Sequence, residues 1–182
     1  VKEGVIHLNI ASTSVKVRDL GATSYSLVGL ENFGNKFSAE DLYAMGIRKV
    51  AMIAPNNAYG QGVVEGYKKE FEKLGGKVVT EVLYTAGQST YRRELQQMSR
   101  SNPEAYVYTA YGQESAVINR EGEELGLRKA PWYAILMSMS LSDTPAAISN
   151  GQIGMELGSL RGDLGKAYKE AFAAKHKEGP KT

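Results

Sequence analysis

Five strand-length apolar runs at near-regular spacing constrain this chain more than any other feature. They occupy residues 49–54 (KVAMIA), 77–84 (KVVTEVLY), 105–111 (AYVYTAY), 132–137 (WYAILM) and 152–157 (QIGMEL). Most are rich in β-branched or aromatic residues, which suit a pleated surface. Their starts at 49, 77, 105, 132 and 152 lie 20 to 28 residues apart, the spacing of strand–helix units. Helical patterns fill the gaps. Over 62–74, Val63, Val64, Tyr67, Phe71 and Leu74 share one face, and Gly75–Gly76 stop the helix because glycine tolerates the left-handed conformation. Over 90–100 the stripe is Tyr91, Leu95 and Met98, with Pro103 as punctuation. Residues 114–125 are more polar, and Gly126 caps them. Strands alternating with helices predict an α/β fold, a doubly wound parallel sheet with helices on both faces.

The two ends stand outside that run. Residues 5–10 (VIHLNI) read as a further strand, followed by a polar loop over 11–14 and an extended stretch to about Leu30. Residues 164–175 read as an amphipathic helix with Leu164, Ala167, Tyr168, Ala171 and Phe172 on one face. A strand and a helix without partners lead us to expect a truncated architecture. Its bare apolar strand and Phe172 face could pair two copies into a homodimer.

Composition removes several functions. With 182 residues the chain suits one domain or slightly more. The net charge of +2 comes from 22 basic and 20 acidic residues, spread along the chain. The most basic stretch, 166–181, is interrupted by Glu170 and Glu178. It therefore reads as a solvated helix face rather than a nucleic-acid footprint. Cysteine is absent, which removes disulfides, thiolate chemistry and Cys-ligated zinc. His7 and His176 are far apart with no HxH or HExxH spacing, so no metal site is expected. No apolar run approaches the roughly 20 residues that span a bilayer. The start at Val1 without a visible signal fits both removal of an export signal and a fragment.

Gly60-Gln61-Gly62 with Gly66 forms GxGxxxG, and Glu81 follows Gly60 by 21 residues. This lies near a dinucleotide-binding fingerprint, which needs its first glycine to turn directly off the strand. Here 55–59 intervene, and Glu81 falls inside its strand. We read the glycines as serving a tight turn and close packing, and keep a nucleotide-dependent oxidoreductase as an alternative function. The acids Glu65, Glu70, Glu72, Glu121, Glu123 and Glu124 sit beside Lys and Arg on helix faces, not isolated in apolar settings as catalytic acids are. GxSxG and Walker A patterns are absent. No catalytic residue and no cofactor are expected.

The order of motifs carries a resemblance over nearly the whole chain. Residues 46–62 (GIRKVAMIAPNNAYGQG) read as strand, polar loop, Tyr-Gly-x-Gly, helix, and 68–77 (KKEFEKLGGK) continue the pattern. Asn102-Pro103-Glu104, Gly126-Leu127-Arg128, and 11–14 (ASTS) through Asp19-Leu20-Gly21 follow in family-like register. Together they resemble type I periplasmic solute-binding proteins of ABC transporters for branched-chain amino acids, amides and aromatic acids, mostly the second lobe. The resemblance implies a remnant of lobe 1 and a crossover at 1–31, the lobe 2 α/β domain at 32–158, and a crossover with a helix returning toward lobe 1 at 159–182. It implies a non-enzymatic protein, periplasmic or extracellular, lipid-anchored in a Gram-positive source. Such a protein captures a small carboxylate, amino acid or amide in an interlobe cleft and works with a membrane permease. A ligand-sensing regulatory domain of the same fold is a second alternative.

Residue by residue, the resemblance places Ser12 and Thr13 at the loop that offers a backbone carbonyl and a hydroxyl–amide pair to the ligand's charged head. It places Tyr59 on the second lobe's binding edge and Tyr111 at the aromatic position after the third strand. Tyrosines suit such a task, with an apolar body and a polar tip. One departure shapes the ligand. Amino-acid-specific members carry an acid near the end of the next strand for the α-ammonium, whereas 136–140 read LMSMS and no acid precedes Asp143. A cation without a counter-ion is poorly held in a closed site. The expected ligand therefore lacks a free ammonium.

Overall fold

The computed structural model describes residues 4–156 and 162–176. Five parallel strands form the main sheet: β3 (Lys49–Pro55), β4 (Lys77–Tyr84), β5 (Ala105–Tyr108), β6 (Trp132–Ile135) and β7 (Ile153–Met155). Their spatial order is β4-β3-β5-β6-β7. The chain therefore steps one way from β3 to β4, then crosses back to the other side of β3. The crossover helices are α2 (Ala58–Lys73), α3 (Arg92–Ser99) and α4 (Gly112–Glu124), with the short α5 (Met137–Leu141) and α6 (Ala146–Ser149) between β6 and β7. α1 (Glu31–Ala44) precedes β3, and α7 (Gly162–His176) follows β7.

Strand β3 shows why the sheet is covered twice. Val50, Met52 and Ala54 face one core with Leu42 of α1 and Val63, Tyr67 and Phe71 of α2. Ala51 and Ile53 face the other with Leu95 and Met98 of α3 and Ile118 of α4. A strand buried on both faces must be apolar throughout rather than alternating. Burying each such Val, Ile, Leu or Phe is worth about 1.5–3 kcal/mol. The doubly wound α/β architecture expected from the apolar runs is the one observed.

The Asn102-Pro103-Glu104 turn fastens the bottom of the sheet. Asn102 takes a left-handed conformation at φ +47. The Glu104 carboxylate accepts the backbone amides of Arg48 (2.6 Å) and Lys49 (3.1 Å). These amides hold its carboxyl below the ordinary carboxylate range.

Several expectations change. The strand over 5–10 shrinks to β1 (His7–Asn9), and it has a partner: it pairs in parallel with β2 (Ser24–Ser26) in a separate two-stranded sheet. His7 Nδ1 lies 2.8 Å from Ser24 Oγ across that pair. The stretch to Leu30 is not simply extended, since Val15–Leu20 forms a 3-10 turn. Val5, Ile6, Leu8 and Ile10 remain exposed, as expected of that strand. α2 begins at Ala58 instead of residue 62, because Asn57 Oδ1 accepts the Gly60 amide (2.9 Å) and caps the helix. β5 stops at Tyr108 and β6 at Ile135. Beyond them the chain turns into α4 and, through Leu136 at φ +59, into α5. α1 has no counterpart in the reading of the apolar pattern. In α7 the face with Leu164 (89% exposed) and Tyr168 lies open, while Phe172 is half-buried between the rings of Tyr168 and His176. Leu157 and residues 177–181 of the basic stretch lie outside the described residues.

Candidate ligand-binding site

The reversal of direction about β3 opens a crevice where the carboxyl ends of β3 and β5 send their chains to opposite faces. In open α/β sheets this switch point is where ligands bind. Here β3 delivers Asn56 and Asn57 into α2, and β5 delivers Thr109, Ala110 and Tyr111 into α4.

Tyr59, in the first turn of α2, bridges the two loops. Its hydroxyl lies 3.0 Å from Thr109 Oγ1. Its ring meets that of Tyr111 with centroids 6.1 Å apart and planes at 45°. Burial pushes the Tyr59 hydroxyl well above its usual range, against the smaller opposing effect of the Thr109 bond. It therefore stays neutral and able to donate. Tyr111 is 39% exposed and directly precedes α4, so its ring forms an open wall of the crevice. Asn57 Nδ2 donates a long bond (3.5 Å) to the Tyr111 hydroxyl.

The loop over 11–14 meets this edge from the other side. The Thr13 carbonyl accepts the Glu31 amide at 2.7 Å, joining the loop to the start of α1. Thr13 is buried and lines a small cavity with Glu31, Asn35, Tyr59, Leu136 and Met155. Ser12 is exposed. Its amide donates to Asn9 Oδ1 (2.9 Å) and its carbonyl accepts from Asn9 Nδ2 (2.7 Å). The structure thus gathers Thr13 with Tyr59, and Tyr59 with Tyr111, while Asn9 occupies the backbone of Ser12.

Two acids at this edge escaped the sequence reading. Glu156, just past β7, accepts the Ser138 amide at 2.8 Å, so an acid does reach the loop after β6, from the neighbouring strand. Glu31 is 5% exposed, and its Oε1 accepts the Val15 amide (3.2 Å). Burial pushes its carboxyl up, against smaller opposing effects of that amide and of Lys16. The signal for Glu156 was an acid at the carboxyl end of a strand; Glu31 sits in a helix the apolar pattern hides.

The glycines of the GxGxxxG pattern have a different job from phosphate binding. All three lie inside α2. A Cβ on Gly60 would stand 1.9 Å from the Pro55 carbonyl oxygen; on Gly62, 2.2 Å from Glu31 Oε1; on Gly66, 2.2 Å from Asn35 Nδ2. The missing side chains let α2 press onto the end of β3 and onto α1. Glu81 is engaged by Lys68 at 2.5 Å on the outer surface. The close-packing part of the sequence reading holds. The tight turn belongs instead to Asn56–Asn57, and the dinucleotide reading loses the free glycine loop it requires.

The sequence model of a family described as periplasmic binding protein matches residues 37–182. None of the curated proteins compared matches. Solved structures share the fold. A branched-chain amino acid ABC transporter periplasmic ligand-binding protein of Burkholderia xenovorans LB400 aligns with TM-score 0.80 and 17% identity, over 97% of this chain and 49% of its own. A leucine-binding protein of Thermotoga maritima MSB8 aligns with TM-score 0.74 and 20% identity, over 87% and 47%. An ABC transporter solute-binding protein of R. palustris in complex with benzoate aligns with TM-score 0.71 and 16% identity, over 87% and 44%. The chain spans about half the length of these proteins.

Proposed function

The chain belongs to the periplasmic binding protein family, and from that premise we propose that it forms part of an extracytoplasmic solute-binding component of an ABC transporter. In this reading it captures a small carboxylate, amino acid or amide and presents it to a membrane permease. The observation that carries the reading is the switch-point crevice. Tyr59, Thr109 and Tyr111 form a polar aromatic edge there, and the buried Thr13 approaches it from the loop before α1. Few polar groups on largely apolar walls is the chemistry of small-molecule sites.

Residues 1–31 serve in this reading as the lobe 1 remnant and crossover, 32–158 as lobe 2, and 159–182 as the return toward lobe 1. The separate β1–β2 sheet, which does not join the main one, supports that division. Closure of two lobes over the solute is the motion such an architecture allows. Ser12, Thr13, Tyr59 and Tyr111 are the proposed contacts, with the Ser12 carbonyl shared between Asn9 and the solute. No catalytic step is assigned, because the family is one of binding proteins. Its description implies a location outside the cytoplasm.

A thermal-shift panel of branched-chain amino acids, benzoate, aliphatic carboxylates and amides, with NAD as counter-probe, tests the reading. A solute at a hundred times its dissociation constant adds about 2.7 kcal/mol, roughly 5–10 °C for a chain of this size. A shift with NAD and none with the solutes would sink it.

A further inference from the structure

Two residues that line the small cavity by Tyr59 carry oxygens whose hydrogen-bonding needs no group among the described residues meets. Glu31 Oε2 and Asn35 Oδ1 are both buried without a hydrogen-bond partner among the described residues. Both residues line the cavity beside Thr13 and Tyr59, and it leaves about 10 Å³ for the centre of a water-sized group. Glu31 and Asn35 stand one helical turn apart on the inward face of α1. The remaining polar capacity of each is spent elsewhere: Glu31 Oε1 on the Val15 amide, Asn35 Nδ2 on the Gly62 carbonyl (3.2 Å). Glu31 takes part in none of the ion pairs among the described residues.

Two buried acceptors on neighbouring residues that line the same cavity call for a group with several donors, and a buried carboxylate calls for positive charge. An ammonium head has three donors, one positive charge and the size of a water. We propose that Glu31, helped by Asn35, is the anionic contact for a cationic group of the solute, which enters between Thr13 and Tyr59. This deepens the solute-binding reading and rests on it. It also reverses the ligand class expected from the loop over 136–140. That expectation looked for the counter-ion in one loop, whereas the fold brings it from the start of α1.

The test is isothermal titration of the polypeptide expressed from its own gene with matched pairs of probes. These are leucine with 4-methylpentanoate, phenylalanine with 3-phenylpropanoate, and 4-(aminomethyl)benzoate with 4-methylbenzoate. In the unaltered protein the amine-bearing member of at least one pair should bind about tenfold tighter or more. Glu31→Gln, an isosteric change checked for folding by circular dichroism, should abolish that preference, and Glu156→Gln should keep it. Equal or tighter binding of the amine-free members, a preference surviving Glu31→Gln, or a preference lost in Glu156→Gln would each overturn the proposal. Binding of no member of any pair would overturn the solute reading itself, and this inference with it.

Discussion

Replacing Gly60 by alanine separates the packing role of the glycine pattern from every other. In the interior of an exposed helix this change stabilises by up to about 1 kcal/mol, because alanine is the better helix former. At Gly60 the new methyl would stand 1.9 Å from the Pro55 carbonyl oxygen and 2.9 Å from its carbon. Both are backbone atoms at the end of β3, so no side chain can swing away. α2 must lift from the strand by more than an ångström or the strand end must move. Overpacking of this kind costs typically about 1–3 kcal/mol. Net of the propensity gain, Gly60→Ala should destabilise by about 1–2 kcal/mol, a fall of roughly 2–8 °C in Tm. Gly62→Ala is the internal control. Its methyl meets the Glu31 carboxylate oxygen at 2.2 Å, the mobile end of a side chain, so a smaller loss is expected there. Urea unfolding of the three proteins, with slopes compared to check for two-state behaviour, gives the numbers. A stabilised Gly60→Ala would refute the close-packing account.

Other consequences follow from single contacts. Glu121 lies buried in α4 and accepts from Thr90 Oγ1 and the Tyr91 amide, both at 2.7 Å, capping α3 from its neighbour. Glu121→Ala should cost about 2–3 kcal/mol in urea unfolding, since it strands a buried amide; an unchanged midpoint would refute the cap. Tyr59→Phe should cost about 1 kcal/mol through the lost Thr109 bond, and adding Thr109→Val should restore most of it, because removing both partners of a buried bond is nearly neutral. A double mutant as unstable as the sum of the singles would show the two hydroxyls act separately. Glu104 has a depressed carboxyl, so its contribution is present above the ordinary 4.5 and lost as pH falls through the lower folded value. The Tm gap between the native protein and Glu104→Gln should therefore close on acidification; a gap constant with pH would show that charge plays no part in the turn.

The doubly wound sheet was legible because β3, β5 and β6 are buried strands, and burial on both faces writes itself as continuous apolar runs, while the edge strands β4 and β7 are only partly covered. Tyr59 and Tyr111 were singled out by the resemblance rather than by the apolar runs, and their rings do meet at the ends of β3 and β5. The strand ends were misread for a physical reason. Thr109–Tyr111 and Leu136–Met137 continue the apolar composition past the strands, because Thr109 and Ala110 stay buried as the strand residues are and Leu136 and Met137 stay partly covered. Ser12 shows the reverse case: its place in a polar loop was readable, but the claim of Asn9 on its backbone depends on a three-residue turn that composition does not reveal.

α1 was illegible because its amphipathicity is inverted. It buries Glu31, Gly34, Asn35 and Ser38 along with Ala39 and Leu42, and turns Phe33 (65% exposed) and Phe37 (56%) outward. A periodicity search that equates the apolar face with the inner face finds no helix there. The inversion has its cause in α2. Gly62 and Gly66 hold their side of the contact flat, which leaves space that the Glu31 carboxylate and the Asn35 amide fill, each within 2.2 Å of where a Cβ would stand. The same three facts, glycines on α2, polar residues inward on α1 and a carboxyl oxygen left without a partner, are therefore one arrangement. Close helix packing could have been reached with alanine and leucine, as it is at Ala39 and Leu42 further along the same helix. The charged and amide side chains placed inward stand in the turns beside Thr13 and Tyr59, with the Ser38 hydroxyl buried one turn further on, and buried polar groups without partners are costly to a fold. Stability alone does not account for that choice, and the charged solute proposed above would.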